Sequence, residues 1–229
     1  MLQTPSPFPT LPPVGEGLNP LSFRGRVREG ELPMINFHEK EIKVNKLLLL
    51  VCGILLSVNV SAMEVSGVKL ADNVQLLGSH LVLNGAGVRT KIIFKVYVAA
   101  LYVAQKQTTA GAILSDTNSQ RVALHMLREL SDEKLLNAFN EAIEANHTPA
   151  ELSALAASLK QMADIFHQVK EVKEGDVITL DYMSGGTQIS VNGTPRGAIA
   201  GEAFHRALLK IWLGNKPVQD DLKKSLLGG

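Results

Sequence analysis

Apolar and polar residues alternate along the segment NGAGVRTKIIFKVYVAALYV, which runs from Asn84 to Val103. Side chains two positions apart share a face of a β-strand. From Ile92 to Ala100 the even positions are apolar: Ile92, Phe94, Val96, Val98 and Ala100. The odd positions are polar at first and apolar later: Arg89, Lys91, Lys95, Tyr97, Ala99, Leu101 and Val103. The pattern predicts a long strand with one face in a core and the other lining something polar.

Further strands are predicted on both sides of this segment. VQLLGSHLVLNG, just before it, ends in Asn84–Gly85, a dipeptide typical of turns. Residues 120–130, QRVALHMLREL, alternate apolar with polar or mixed positions and predict another strand. DVITLDYM and TQISVNG lie on either side of Ser184–Gly186 and predict a hairpin.

The rest of the chain predicts helices with recognisable ends. Ser131 is a suitable N-cap, and Thr148-Pro149-Ala150-Glu151 forms a capping box with proline at the first helical position. EAFHRALLKIWLG predicts a helix that ends at Gly214, and a short helix is expected near residues 220–227. Strands, helices, a hairpin and a final helix in this order predict an α+β domain, with an antiparallel sheet and helices packed on one face.

The first 62 residues differ from the rest. Residues 1–33 are rich in Pro and Gly, then basic, and we expect a disordered or non-native extension that cannot form a core. Residues 34–62 contain a basic stretch, an apolar run of 14 residues and the small-residue site Val60-Ser61-Ala62. This is the pattern of a cleaved signal peptide, and the run is short for a membrane span. The folded domain is therefore expected at residues 63–229, in the periplasm or outside the cell.

Composition narrows the function of residues 63–229. They contain as many acidic as basic residues, which argues against a nucleic-acid binder. The single cysteine, Cys52, lies in the apolar run, so no thiol nucleophile remains after cleavage. The histidines are not paired at metal-ligand spacing, and no nucleophile elbow or dinucleotide fingerprint is present. We expect no metal and no cofactor.

Arg89 and Tyr97 remain as candidate site residues. They are eight positions apart and can face the same way, but a straight strand would separate them by ~26 Å. A turn near Arg89-Thr90-Lys91 or strong curvature would be needed to bring them together. A purely structural role stays open, with Arg89 in a rim salt bridge and Tyr97 capping a core.

Three segments resemble the chalcone isomerase fold family: LNGAGVRTKIIFKVYVAALYV, RELSDEKLLNAFNEAI and ALLKIWLGNKPVQDDLKKSLLG. The first is the most specific, and bacterial, exported members of the family are the most similar overall. The resemblance implies an open-faced β-sandwich. Of the polar groups that the plant enzymes of the family use, this chain retains only the arginine, at Arg89. The other positions carry Tyr97, Met126, Leu135, Ala142 and Ile211.

The fatty-acid-binding branch of this family is more similar at the site. Its strand resembles KVYVAALYV here, and its carboxylate-holding arginine and tyrosine correspond to Arg89 and Tyr97. The resemblance therefore implies an exported, non-catalytic binder of a fatty acid or similar small amphipathic carboxylate. Lys91 and Lys95 share the face of this pair by parity and are expected to reach solvent.

Two alternatives stay open. One is an isomerase or intramolecular lyase of the same fold on an unknown substrate, with Arg89 as electrophile and Tyr97 as proton donor. The other is a protein without a ligand that acts by contacting a protein partner, which the sequence does not identify. In each case we expect neither a nucleic-acid partner nor a membrane span after signal cleavage.

The mature N-terminus is predicted to be Met63, because Val60-Ser61-Ala62 is the small-residue site at the right distance after the apolar run. N-terminal sequencing of the exported protein checks this. A soluble mature form that starts upstream of Leu47 would contradict the prediction.

Overall fold

The computed structural model describes residues 62–229, so the predicted extension and nearly all of the predicted signal segment lie outside the described residues. The strands are β1 Ala62–Val65, β2 Val68–Ala71, β3 Asn73–Leu76, β4 Ser79–Lys91, β5 Phe94–Val103, β6 Gln120–Met126, β7 Leu130–Ser131, β8 Glu171–Val172, β9 Val177–Met183, β10 Gly186–Val191 and β11 Thr194–Ala200. The helices are α1 Ala110–Ser115, α2 Asp132–Ala145, α3 Pro149–Val169, α4 Glu202–Leu213 and α5 Asp220–Leu226.

Seven strands form one sheet in the order β11-β10-β9-β6-β5-β4-β3, and every neighbouring pair is antiparallel. Two short pairs, β1–β2 and β7–β8, accompany it. Between β6 and β9 the chain leaves the sheet to form α2 and α3, and α4 and α5 follow the last strand. The predicted α+β class with an antiparallel sheet is confirmed.

Both faces of the sheet carry a buried apolar layer. On one face, side chains such as Leu101 and Leu180 pack against Phe139, Met162 and Leu208 of the helices. The cluster on the opposite face contains strand and loop residues without any helical one, among them Leu70 of β2 and Val98 of β5. Among residues 62–229, the helices thus pack on one face of the sheet, as the sequence predicts. Because consecutive residues of β5 enter different layers, the predicted alternation holds from Tyr97 onward.

The segment from Asn84 to Val103 is a hairpin rather than one strand, which corrects the prediction for its first half. β4 ends at Lys91 and β5 begins at Phe94, so the turn falls at Ile92–Ile93. The even positions Ile92 and Phe94 are exposed, not core. No Gly, Asn, Asp or Pro marks this turn, which is why the pattern of apolar residues runs through it unbroken.

Asn84–Gly85 is not a turn, although the dipeptide predicts one. It lies within β4 at a bulge, and the turn falls instead at Leu77–Gly78. The Asn84 amide donates to the Gln107 and Leu226 carbonyls at 2.9 and 2.7 Å. A Cβ on Gly85 would lie 2.1 Å from the Ser225 carbonyl oxygen. The two residues therefore hold the end of α5 against β4.

The predicted helix ends are confirmed. The Ser131 side chain accepts from the Lys134 amide, Thr148 and Glu151 form the complete capping box, and Gly214 is the C-cap of α4. The hairpin around Ser184–Gly186 and the short helix α5 are also present. The sequence patterns did not reveal α1, which has six residues, or β11, whose sequence TPRGAIA does not alternate apolar with polar residues.

Replacing Ile92 by Asn is predicted to stabilise the fold. Ile92 has φ +61° and is 89% exposed. A β-branched residue in this left-handed region is strained by roughly 1–2 kcal/mol, and Asn tolerates it better. Ile92→Asn should raise the free energy of unfolding by about 1 kcal/mol, measured in urea. The matched control is Ile93→Asn, since Ile93 is 78% exposed without a positive φ. An equal gain in both variants would contradict the explanation.

Candidate functional site

A cavity of about 400 Å³ lies between the helical face of the sheet and helices α2, α3 and α4. Its wall is mainly apolar, with contributions from Leu124, Phe139, Met162, Ile178, Leu208 and Ile211. Four charged residues line it as well: Arg89, Lys91, Glu141 and Lys216. Arg89 is half-buried and the other three are exposed, which places the charges at the mouth. Three cations against one carboxylate give the mouth a positive balance.

The hairpin brings Arg89 and Tyr97 together on this wall. The two residues are direct partners in the β4–β5 register. Cβ atoms of such partners lie about 5 Å apart, not the ~26 Å of a straight strand. The turn that this pairing requires lies at Ile92–Ile93, immediately after the expected position at Arg89-Thr90-Lys91.

Tyr97 presents a neutral phenol with a proton to donate. The Trp212 indole N–H of α4 donates to the Tyr97 hydroxyl oxygen at 3.0 Å. Burial raises the pKa of Tyr97, and the Trp212 hydrogen bond and the Arg89 charge only partly oppose this shift. The phenol therefore stays protonated at neutral pH, and because Trp212 occupies the oxygen, its O–H remains available for a ligand.

Arg89 makes contacts with neutral oxygens only. Its Nη1 donates to the Thr90 carbonyl and to Gln219 Oε1, the latter at 3.4 Å. The same Gln219 oxygen accepts the Thr90 amide at 2.8 Å, which ties the N-cap of α5 to β4. Within residues 62–229, no carboxylate pairs with Arg89. The rim salt bridge of the structural alternative is thus missing from this part of the chain, although the contact with Gln219 also links Arg89 to α5.

Lys91 and Lys95 do not share a face, which corrects the parity argument. In the register Arg89 pairs with Tyr97 and Thr90 with Lys95, so Val96 is the extra residue of a bulge. The bulge inverts the alternation. Lys91 keeps the face of Arg89, two positions before it on β4, and lines the cavity. Lys95 is turned away from the face of Tyr97, and its Nζ donates to Ser66 Oγ of the β1–β2 turn at 3.1 Å.

Three of the positions carried over from the enzymes line the cavity: Leu135, Ala142 and Ile211. Met126 does not, and lies buried opposite Tyr97 in the β5–β6 register. The lining contains no Ser, Thr, Asn, Gln or His among the residues that the structure describes. Beyond the charged mouth, its polar groups are the Tyr97 hydroxyl and the Trp212 indole N–H.

Sequence reasoning missed Trp212 and Gln219. Trp212 is the only tryptophan and lies on the apolar stripe of a predicted helix, a pattern that indicates core packing equally well. Gln219 has no local signal, because its contacts with Arg89 and Thr90 span about 130 positions of sequence.

Within residues 62–229, no group of three or more His, Cys, Asp or Glu residues is placed to hold a metal ion. In the same range, no helix combines the length and apolar character that crossing a membrane requires.

A sequence model described as chalcone isomerase-like matches residues 62–228. The chain belongs to the chalcone isomerase-like family. Among solved structures, this chain is similar to the Arabidopsis thaliana fatty-acid binding protein AtFAP1, with a TM-score of 0.57 and 15% sequence identity. The similarity covers 73% of this chain and 96% of that one, and at this identity it shows a shared fold. Among curated proteins, none matches the sequence.

Proposed function

We propose that this chalcone isomerase-like domain binds a fatty acid or a similar small amphipathic carboxylate without catalysing a reaction. The observation that carries the proposal is the position of Arg89 beside Tyr97 on the wall of a largely apolar cavity. The name of the similar structure, a fatty-acid binding protein, supports the same ligand class.

The mouth of the cavity suits a carboxylate head. A guanidinium offers a planar fork of donors that matches both carboxylate oxygens, and Arg89 has no acidic partner of its own among residues 62–229. The neutral Tyr97 hydroxyl supplies one further donor next to it. Lys91 also lines the cavity and adds a second positive charge near Arg89. These groups complement an anion better than a neutral polar ligand.

The interior suits an aliphatic tail. A volume of about 400 Å³ is within the usual range of small-molecule sites. Each buried methylene contributes roughly 0.8 kcal/mol, so about ten methylenes would contribute on the order of 8 kcal/mol before the costs of association. Leu135, Ala142 and Ile211 offer no hydrogen bonds, so a ligand with several hydroxyl groups would lose its hydration there without compensation.

Export of the protein is part of the proposal. The basic stretch, apolar run and small-residue site within residues 34–62 support it. The family match begins at residue 62, where the predicted signal segment ends. A binder of amphipathic acids in the periplasm or outside the cell is therefore the function that we propose.

Arg89→Ala is predicted to weaken fatty-acid binding more than Tyr97→Phe. Loss of a charged donor to a desolvated anion should cost roughly 2 to 5 kcal/mol, and loss of one neutral hydrogen bond about 0.5 to 1.5 kcal/mol. Titration of a fluorescent fatty acid measures both. Lys95→Ala is the matched control, because Lys95 lies on the same hairpin but contacts Ser66 outside the cavity. Unchanged affinity in a folded Arg89→Ala variant would refute the site.

The protein is also predicted not to accelerate closure of a chalcone to a flavanone. The apolar side chains Leu135, Ala142 and Ile211 line the cavity where the plant enzymes are expected to carry polar groups. The absorbance of the chalcone follows the reaction, with the spontaneous rate as the reference. Stereoselective closure well above that rate would overturn the non-catalytic proposal.

A further inference from the structure

The tip of the β4–β5 hairpin exposes three consecutive large apolar side chains. Ile92 is 89% exposed, Ile93 78% and Phe94 53%. Scattered single apolar residues are normal on a protein surface, but a contiguous group marks an interaction site. Hairpin turns ordinarily carry Asn, Asp or Gly, and the left-handed backbone at Ile92 disfavours a β-branched residue. Neither solubility nor turn geometry explains this sequence.

Positive charge surrounds the apolar tip. Lys91 and Lys95 flank it within the hairpin, and both are exposed. The Arg128 guanidinium lies 4.9 Å from the centroid of the Phe94 ring. One acidic residue, Glu129, follows Arg128 in the sequence. The tip thus combines apolar side chains with three cations.

We propose that this hairpin tip docks the protein onto the surface of an anionic lipid bilayer. Residues of this type insert about 5–10 Å into the boundary between headgroups and acyl chains, where Lys and Arg meet anionic headgroups. A standard protein interface buries roughly 800 Å² on each partner, which three side chains on one turn cannot supply. The observations therefore favour a membrane over a protein partner.

The tip adjoins the cavity. Lys91 both flanks the apolar tip and lines the cavity mouth, while Ile92, Ile93 and Phe94 do not line it. Docking would bring the mouth of the cavity to the lipid surface, from which an amphipathic acid could enter. The membrane contact itself does not require the proposed ligand, and it can be tested independently of ligand binding.

The test is sedimentation of the full chain with vesicles of phosphatidylethanolamine and phosphatidylglycerol. The double variant Ile92→Ser/Ile93→Ser should lower the partition coefficient at least tenfold. Leu77→Ser is the matched control. Leu77 is 80% exposed and has a left-handed backbone, as Ile92 has, but it lies in the turn at the opposite end of β4. Lys95→Ala should weaken partition about fivefold on these vesicles and leave it unchanged on phosphatidylcholine. Equal partition of the wild type and the double variant, both in the exported form that is predicted to start at Met63, would overturn the proposal.

A probe at the tip separates this contact from any contribution of the apolar run at residues 47–60. In a Cys52→Ser background, Ile93→Cys and Leu77→Cys variants are labelled with an environment-sensitive fluorophore. Anionic vesicles should shift the emission of the first label to the blue and leave the second unchanged. No shift at the tip, or a shift caused by protein self-association without lipid, would overturn the proposal.

Fatty-acid affinity in solution distinguishes the two proposals. The double variant Ile92→Ser/Ile93→Ser should retain wild-type affinity, whereas Arg89→Ala should lose ligand affinity and keep at least a fifth of the vesicle partition. A loss of vesicle partition in Arg89→Ala as large as that of the double variant would contradict docking through the tip.

Discussion

The register of the β4–β5 hairpin is the constraint on which the site depends. It places Arg89 directly opposite Tyr97, and the bulge at Val96 decides which residues near the turn face the cavity. Without the bulge, the alternation of side chains along β5 would place Lys95 instead of Val96 in the cavity wall, next to Tyr97. A one-residue slip would turn each side chain of one strand to the other face, and both faces here are buried. A slip of β4 would also bring a side chain to the position of Gly85 or Gly87, where a Cβ would clash with α5. This close packing therefore opposes a change of the register that creates the site.

The C-terminal helix holds this hairpin from the side. Gly85 and Gly87 lie so close to Ser225 and Leu222 of α5 that a Cβ at either position would clash. Asn84 fixes the end of α5, and Gln219 fixes its beginning by accepting from the Thr90 amide. Because Gln219 also accepts from Arg89, the attachment of α5 and the position of the guanidinium depend on one side chain. Loss of α5 packing would thus displace the Arg89 guanidinium, even though no α5 residue lines the cavity.

The sequence predicted what local chemistry encodes and missed what distant contacts decide. The capping box at Thr148 and the stop at Gly214 rest on hydrogen bonds and backbone preferences within a few residues, and both are confirmed. Asn84–Gly85 failed as a turn signal because both residues contact α5, more than a hundred positions later. The Asn84 side-chain amide donates to the Leu226 carbonyl, and the absence of a side chain at Gly85 leaves room for the α5 backbone. The observed turn at Ile92–Ile93 contains none of the residues that usually indicate a turn, Gly, Asn, Asp or Pro. The resemblance to the family, not periodicity, pointed to Leu135, Ala142 and Ile211 as cavity residues.

A second arginine of the same sheet differs from Arg89 in its partners, and the contrast supports the proposal that Arg89 binds an anion. Arg121 on β6 donates to both carboxylate oxygens of Asp181 at 2.6 and 2.7 Å, which raises the pKa of Arg121. That charge is neutralised within the fold. Arg89 is half-buried too, yet the described chain offers it only the neutral oxygens of Thr90 and Gln219. A partly desolvated cation without a counter-ion is costly, and a bound carboxylate relieves that cost. For the ligand that we propose, the charge of Arg89 would favour the anionic end, and the apolar wall behind it would favour the tail.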